Sequence, residues 1–264
     1  MNLQLSGKTA FVTGSTKGIG KSIAVALLGE GARVIVNGRS KTETLVDELS
    51  ERGEVFAVEG DLAVADDCER ICKEIDALGG LDILVNNMGI FEPKPFVEIG
   101  DEEWRRFFEA NVMSTVRLSR HFFPKLMEKD FGRIINVASE AGIRGLESMI
   151  HYSMTKGAQV VIGRGMANLT KGSGKDITVN SVLPGPTMTE GVQEWLADSA
   201  EVEGKTEDEF VADFFRETEP DSLLQRFIRP EEISSVVTFL CSPLASAVNG
   251  ASIRAEGGMI KSIV

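Results

Sequence analysis

The chain has 264 residues and a formal net charge of −12, with two histidines and three cysteines. That length suffices for one large α/β domain with a full core, and the negative charge argues against nonspecific nucleic-acid binding or an anionic membrane surface. With no CxxC pair, no histidine cluster and an odd cysteine count, neither a zinc site nor a secreted disulfide framework is expected; a reducing, cytoplasmic setting suits the pattern.

The opening MNLQLSGKTAFVTG lacks the charged n-region and apolar run of a signal peptide, and no stretch approaches the roughly 20 apolar residues of a membrane span. Short β-branched runs predict strands over 9–13, 33–37, 54–59, 81–87, 132–139, 177–183 and 251–255. Helices are expected near 18–30, 41–52, 65–78, 101–128, 150–171 and 230–241. Near-continuous apolar strands alternating with crossover helices predict a parallel sheet covered on both faces, with right-handed connections. No repeat or linker interrupts the pattern, so 1–264 reads as one domain.

The first strand runs into TGSTKGIG, residues 13–20. Gly14, Gly18 and Gly20 carry no side chains, so the backbone of this turn, Ser15 and Ile19 included, can approach a pyrophosphate at the N-terminus of the following helix. The strand–turn–helix context is the one that such a glycine trio requires. The second strand ends in VNGRSKTE. An NAD site usually places Asp or Glu there for the ribose 2′-hydroxyl. Here Asn37, Gly38 and Arg39 occupy the position, and Lys17 lies in the glycine turn. Two cations without a strand-end carboxylate favour the 2′-phosphate of NADP(H) over NAD(H).

Asn111 falls in a helix interior, a locally unfavourable place that raises its standing as a site residue. Trp104, Phe107, Phe108, Phe122 and Phe123 are expected to serve packing or a subunit contact. Tyr152 is the chain's single tyrosine and precedes Lys156 by four residues. On a helix that spacing makes them neighbours on one face. An ammonium beside a phenol would lower its pKa from about 10 by roughly 1–3 units. His151 is expected to be exposed or structural. The interval 186–229 is long and acidic: within 194–219 it holds ten Asp/Glu against Lys205 and Arg216. Thr206 and Glu209 match a capping box, and Pro220 follows, so a helix is expected there. Its stripe of Phe210, Val211, Phe214 and Phe215 reads as a lid over an apolar site or as packing on the body.

In order and spacing, TGSTKGIG, Asp61-Leu62, NNMG (86–89), Asn111, Ser139, the Tyr152–Lys156 pair and PGPT (184–187) resemble the short-chain dehydrogenases/reductases. The resemblance covers nearly the whole chain and is nearest to the 3-oxoacyl-carrier-protein-reductase-like group. It implies a single-domain, Rossmann-type doubly wound α/β sheet of seven parallel strands, with 186–229 as a helical substrate lid. It also implies a nicotinamide cofactor. Tyr152 would be the general acid/base and Ser139 would orient the carbonyl. Lys156 would hold the nicotinamide ribose and lower the tyrosine pKa, and Asn111 would hold a water linking that lysine to solvent. Asp61 and Leu62 would meet the adenine side, Asn87 and Gly89 would line the cofactor trough, and Pro184, Gly185 and Thr187 would fix the carboxamide. Relatives pair the helices at 101–128 and 150–171 between subunits, which implies a homotetramer or homodimer, with Gly157, Gly163 and Gly165 permitting close approach. Two departures stand out. Met88 replaces the usual alanine and bears on the cofactor trough; Glu256 replaces the aspartate before Gly257-Gly258 and bears on packing or assembly.

The expected activity is NADPH-dependent reduction of a small, fairly apolar ketone, aldehyde or oxoacyl thioester, with neither nucleic acid nor membrane as partner. The acidic 194–219 stretch would repel an acidic carrier protein docking there. The competing readings are an NAD-dependent alcohol or polyol dehydrogenase working oxidatively, and a noncatalytic cofactor-binding sensor.

Overall fold

The computed structural model describes residues 2–263. Seven strands, β1 (Thr9–Val12), β2 (Arg33–Gly38), β3 (Val55–Glu59), β4 (Ile83–Asn86), β5 (Phe131–Val137), β6 (Asp176–Pro184) and β7 (Ser252–Ala255), form one sheet in the order β3-β2-β1-β4-β5-β6-β7. All pairings are parallel; Val12 sits between Val36 and Val85, and Val137 pairs with Val182. The apolar runs are continuous because both faces of the sheet are covered. Ala10, Phe11 and Val12 of β1, and Ile83, Leu84 and Val85 of β4, are all fully buried.

Alternate residues of these strands feed two cores. On one face Val12, Val85 and Ile135 pack against α1 (Gly18–Gly29), α2 (Thr42–Leu49) and, further along the chain, the helix Pro230–Cys241. On the other, Phe11, Leu84 and Ile134 meet α3 (Ala65–Ala77), the helix Ser114–Glu128 and the end of the helix Ile150–Asn168. Cys68 and Cys72 are buried in this second core. Strand order reverses between β1 and β4, so the crevice beyond their carboxyl ends is where such sheets bind ligands.

The helix predicted at 101–128 is three consecutive pieces. α4 (Asp101–Phe107) and α5 (Ser114–Glu128) flank a π-helical turn, Phe108–Met113, which holds Asn111. α6 (Ala141–Arg144) follows β5, and α7 (Ile150–Asn168) follows it. Phe107 and Phe122 belong to the interior, whereas Phe108 is exposed.

The segment 186–229 contains two helices where the sequence predicted one: α8 (Glu190–Glu203) and α9 (Glu207–Asp213), the latter continuing into a π-turn at Phe214–Thr218. The α8 signal, Val192, Leu196 and Ala200 at helical spacing, lies within the acidic run. The Thr206–Glu209 capping box forms, with Glu209 N donating to Thr206 Oγ1 and Thr206 N to Glu209 Oε2. The two ends of the segment meet, since Ile228 N donates to Pro186 O and Met188 N to Ile228 O, both at 2.8 Å. The aromatic stripe closes on the segment itself. Phe210, Phe215 and Phe227 are buried with Leu196 and Ala200; Phe214 stacks on Phe227 at 5.2 Å and Trp195 meets Phe210 edge-on at 5.6 Å. Most of the stripe therefore holds this small core together rather than facing the crevice. The last helix, α10 (Pro230–Cys241), opens with proline at its first position, where no N–H is needed.

Because this small core is separate from the sheet, its loss should be local. Phe215→Ala is expected to weaken the 186–229 segment by about 3–5 kcal/mol. Limited proteolysis should then cut within the segment well before the sheet unfolds; cleavage no faster than in the unmodified chain would contradict a self-contained core.

Candidate active site

The turn between β1 and α1 is built on close approach. Gly14 and Gly18 have φ of +58° and +57°, in the left-handed region that favours glycine. A Cβ on Gly20 would lie 2.4 Å from Gly14 O and 2.5 Å from Asn87 Nδ2. Ser15, fully buried, directs its hydroxyl to Val12 O at 2.8 Å and accepts Asn37 N at 2.9 Å, so it ties the turn to β2. Asn87 does the same from β4, with Nδ2 on Thr13 O and Gly14 O. Ile19 packs against the first core. The side chains of Ser15, Ile19 and Asn87 thus shape the turn, whose Gly14 and Gly18 N–H groups donate to Asn37 Oδ1 and Glu190 Oε2. Met88 turns into the second core, and its N–H joins that of Asn87 on Thr13 Oγ1. The extra length over alanine is accommodated in the core.

At the end of β2, Asn37 is buried and bonded to backbone throughout, with Nδ2 on Val58 O and its Oδ1 on Gly14 N. A Cβ on Gly38 would strike Thr16 Cγ2 at 2.4 Å. This contact brings the next residues along, so exposed Arg39 and Lys17 border the same junction. Asp61 Oδ1 accepts Ala63 N, while the Leu62 side chain is core, so any contact from Leu62 to a ligand is through its backbone. A pyrophosphate against the glycine turn and an anionic ribose against Lys17 and Arg39 fit this arrangement. The residues that would hold a dinucleotide are the turn at Gly14, Gly18 and Ile19, with the Glu190 carboxylate giving up Gly18 N, together with Arg39, Asp61, Gly89 and Lys156.

Beyond β5 the chain places Ser139 opposite α7. The enabling contact is between glycines: a Cβ on Gly142 would lie 2.7 Å from both Gly157 N and Lys156 C. Across this contact Lys156 Nζ reaches Val137 O at 2.9 Å and Gln159 Oε1 at 3.0 Å. It stands 5.7 Å from the Tyr152 ring centroid. Ser139 Oγ lies 2.5 Å from Glu140 Oε2, within hydrogen-bond distance, and accepts Ala141 N at 3.1 Å. Asn111, fully buried in its π-turn, clamps the chain after β4: Ile90 N donates to its Oδ1 at 2.8 Å and its Nδ2 to Ile90 O at 2.9 Å. Gly89 is exposed, and a Cβ there would lie 3.3 Å from both Asn111 Oδ1 and Lys156 Nζ. The four expected catalytic residues therefore meet around one end of the crevice.

Two details differ from expectation. Gln159, which sequence reasoning passed over, is fully buried and bridges the lysine to Asn111; its Nε2 donates to Asn111 O at 2.9 Å and its Oε1 accepts Lys156 Nζ. An amide thus joins the lysine directly to the Asn111 backbone. Its signal was available, since it lies three residues beyond Lys156 on the same helix face. Second, the tyrosine pKa is not lowered. Burial, and then nearby Glu140, push it well above the usual phenol value, against an opposing influence of the Ser139 hydroxyl. The ammonium bonds elsewhere, and burial alone brings Lys156 down to about 8.

Neighbouring polar groups have structural duties. His151 is fully buried between Phe107 and Trp104, with its ring pKa lowered chiefly by burial. Gly163 faces the sheet, where a Cβ would meet Asn136 Nδ2 and Ser181 Oγ at 2.9 Å, and Gly157 faces Gly142. Both glycines are therefore required within the chain itself, whereas a Cβ on Gly165 would meet nothing within 4 Å. Pro184 O accepts Glu140 N at 3.1 Å, Gly185 has room only for a hydrogen against Glu256, and Thr187 Oγ1 donates to Gly185 O. Glu256 accepts Met259 N across the Gly257-Gly258 turn, a packing role. From the 186–229 segment, Glu190 Oε2 accepts Gly18 N at 2.8 Å, tying α8 to the glycine turn. Among the described residues no helix is long and apolar enough to cross a membrane.

Residues 8–200 match the family described as short chain dehydrogenase. The chain is 50% identical to the oxidoreductase YvrD of Bacillus subtilis, with 100% of each chain covered. It is 33% identical to a 3-oxoacyl-acyl-carrier-protein reductase of Aquifex aeolicus, over 98% of this chain and 100% of that one. Among solved structures, L-sorbose reductase from Gluconobacter frateurii, complexed with NADPH and L-sorbose, superposes with a TM-score of 0.93 at 29% identity, covering 100% of both chains.

The Lys156 pKa sets a pH dependence. Folded, the amine titrates near 8; unfolded, near 10.4. Between these values the unfolded chain holds more protons, so the stability linked to Lys156 is present at high pH and lost as pH falls through 8. Relative to Lys156→Met, the unmodified protein should gain on the order of 3 kcal/mol from pH 8 to 10.5. Urea unfolding of both at the two pH values checks it; a pH-independent difference would rule out the lowered amine pKa.

Proposed function

We propose, because this chain belongs to the short chain dehydrogenase family of oxidoreductases, that it is an NADPH-dependent carbonyl reductase with Tyr152 as its general acid. The observation that carries this reading is the state of the phenol. Burial is the chief influence that holds Tyr152 protonated, with the Phe91 ring 6.4 Å away and Lys156 Nζ 5.7 Å from its centroid. A protonated phenol is the form that reduction needs, whereas oxidation of an alcohol starts from a proton acceptor.

When bound, the nicotinamide supplies the hydride. The chain's own residues supply the proton and hold the carbonyl. As carbon gains hydride, negative charge grows on oxygen, and donors placed there in advance stabilise the transition state more than the ground state. Tyr152 gives its proton to that oxygen and Ser139 adds a hydrogen bond, a preorganised donor being worth about 3–4 kcal/mol. Lys156 and Gly89, at the trough beside Asn111, hold the ribose. Pro184, Gly185 and Thr187 bind the carboxamide edge.

Lys17 and Arg39 support the phosphorylated cofactor: both are exposed and neither has an ion-pair partner among the described residues. The Gluconobacter enzyme's NADPH is in keeping with this. Phe91 supports a fairly apolar ketone, aldehyde or oxoacyl thioester. It is 57% exposed and its ring meets Tyr152 edge-on at 6.4 Å. Leu223 and Leu224, packed beside Gly258 and Gly257, are further exposed apolar side chains. The 186–229 segment, tied to the glycine turn by Glu190, is the lid over the site. Exposed Val161, on α7, belongs to a homodimer or homotetramer contact.

Screening a ketone and aldehyde panel with NADPH and NADH tests the activity. Tyr152→Phe should lower turnover by about 10²–10⁴-fold while NADPH still quenches protein fluorescence; comparable turnover would refute the acid role. Arg39→Asp should weaken NADPH binding about tenfold or more, the loss of a charge-assisted contact, and leave NADH binding equal or better. An unchanged NADPH affinity would refute the 2′-phosphate site.

A further inference from the structure

Ser139 Oγ has one hydrogen to give and two lone pairs to offer. Ala141 N takes one lone pair at 3.1 Å. The remaining hydrogen and lone pair are left for Glu140 Oε2, at 2.5 Å, and for whatever enters the crevice beside Tyr152. An ionised carboxylate only accepts. With Glu140 ionised, Ser139 must donate to it. The Ser139 proton then points away from any substrate, to which only a lone pair is offered. With Glu140 as the acid the directions reverse. Its O–H fills the last lone pair of Ser139, and the Ser139 and Tyr152 protons are both free to converge on one oxygen.

We propose that Glu140 is a positioning residue that works as a carboxylic acid, donating to Ser139 Oγ and so turning the Ser139 proton onto the substrate oxygen beside that of Tyr152. The inference rests on the reductase reading of those two residues. The surroundings suit the acid form. Glu140 is 5% exposed, and its backbone is pinned by Pro184 O on its N–H and by the N–H groups of Ile143 and Arg144 on its carbonyl. The charged and titratable groups facing it are Tyr152 from α7, Arg144 from α6 and Glu219 from the end of the 186–229 segment. Arg144 is bound to Glu219 at 2.8 Å, so the one nearby cation is already paired. Burial is the largest influence on the carboxyl and raises its pKa; Glu219 adds to this, while Ser139, Ala141 N and Arg144 oppose it. An ionised Glu140 would also place negative charge beside an oxygen gaining negative charge, which opposes the transition state.

The acid form predicts that reductive kcat falls as pH rises and Glu140 ionises. Glu140→Gln, whose amide donates at every pH, should keep most of the activity and lose that limb. Glu140→Ala should lower kcat about tenfold, the scale of one lost hydrogen bond, with NADPH affinity unchanged. The infrared carbonyl band of a protonated carboxyl should be present at pH 7 and disappear in Glu140→Gln. A Glu140→Gln profile that superimposes on the wild-type profile overturns the proposal, as does wild-type kcat in Glu140→Ala; should Glu140→Ala not fold, the glutamine profile and the band decide. The band is read without turnover, so its absence overturns the positioning role whatever the substrate. Failure of the reductase reading shows itself differently, as a wild-type protein that binds NADPH and reduces no carbonyl.

Discussion

The site depends on a contact that two glycines make possible. Gly142, just after Ser139, lies against the backbone of α7 at Lys156 and Gly157, where a Cβ would stand 2.7 Å from main-chain atoms. Any side chain there would push the loop after β5 away from the helix. Ser139 is on one side of the contact and Tyr152 and Lys156 on the other, so the distance between the hydroxyls is set by backbone rather than by flexible side chains. The same approach lets Lys156 reach Val137 O. A fixed backbone contact of this kind is what preorganisation requires, since donors already in place need no rearrangement during reaction.

Close packing also decides the electrostatics. Tyr152, Lys156 and Glu140 are each moved toward the neutral form, and burial is the largest cause in all three. Desolvation disfavours whichever form is charged. Pairwise attraction between an ammonium and a phenol would have produced the opposite result for tyrosine, but the ammonium is held by a carbonyl and by Gln159. That glutamine completes a chain of direct contacts from Lys156 to the π-turn carbonyl of Asn111. The π-turn is part of the same design: insertions of this type commonly mark functional positions in helices. Here it seats Asn111 against Ile90, next to Gly89 at the edge of the crevice.

The 186–229 segment shows how a sequence signal can be right about an element and incomplete about its use. The Thr206–Glu209 box predicts α9, because capping is local chemistry between residues three apart. The destination of the aromatic stripe is not local. Phe210 and Phe215 find Leu196, Ala200 and Phe227 across a fold of the segment that no periodicity encodes. Gly163 illustrates the same point, since a helix glycine reads alike whether it faces another subunit or, as here, the sheet.

The sequence by itself determined the sheet, its strand boundaries to within a residue or two, the glycine turn, and the placing of Tyr152 and Lys156 one helical turn apart. These follow from period, turn chemistry and short-range spacing, all of which act along the chain. Only the tertiary structure decided that burial moves the phenol pKa upward rather than downward, that Gln159 spans the gap next to Lys156, that Met88 turns into the core, and that Glu140 lies against Ser139 as a buried carboxyl. Each depends on desolvation or on contact between residues distant in sequence, or on the direction a side chain takes once its surroundings have closed. Such quantities come into existence only when the chain has folded.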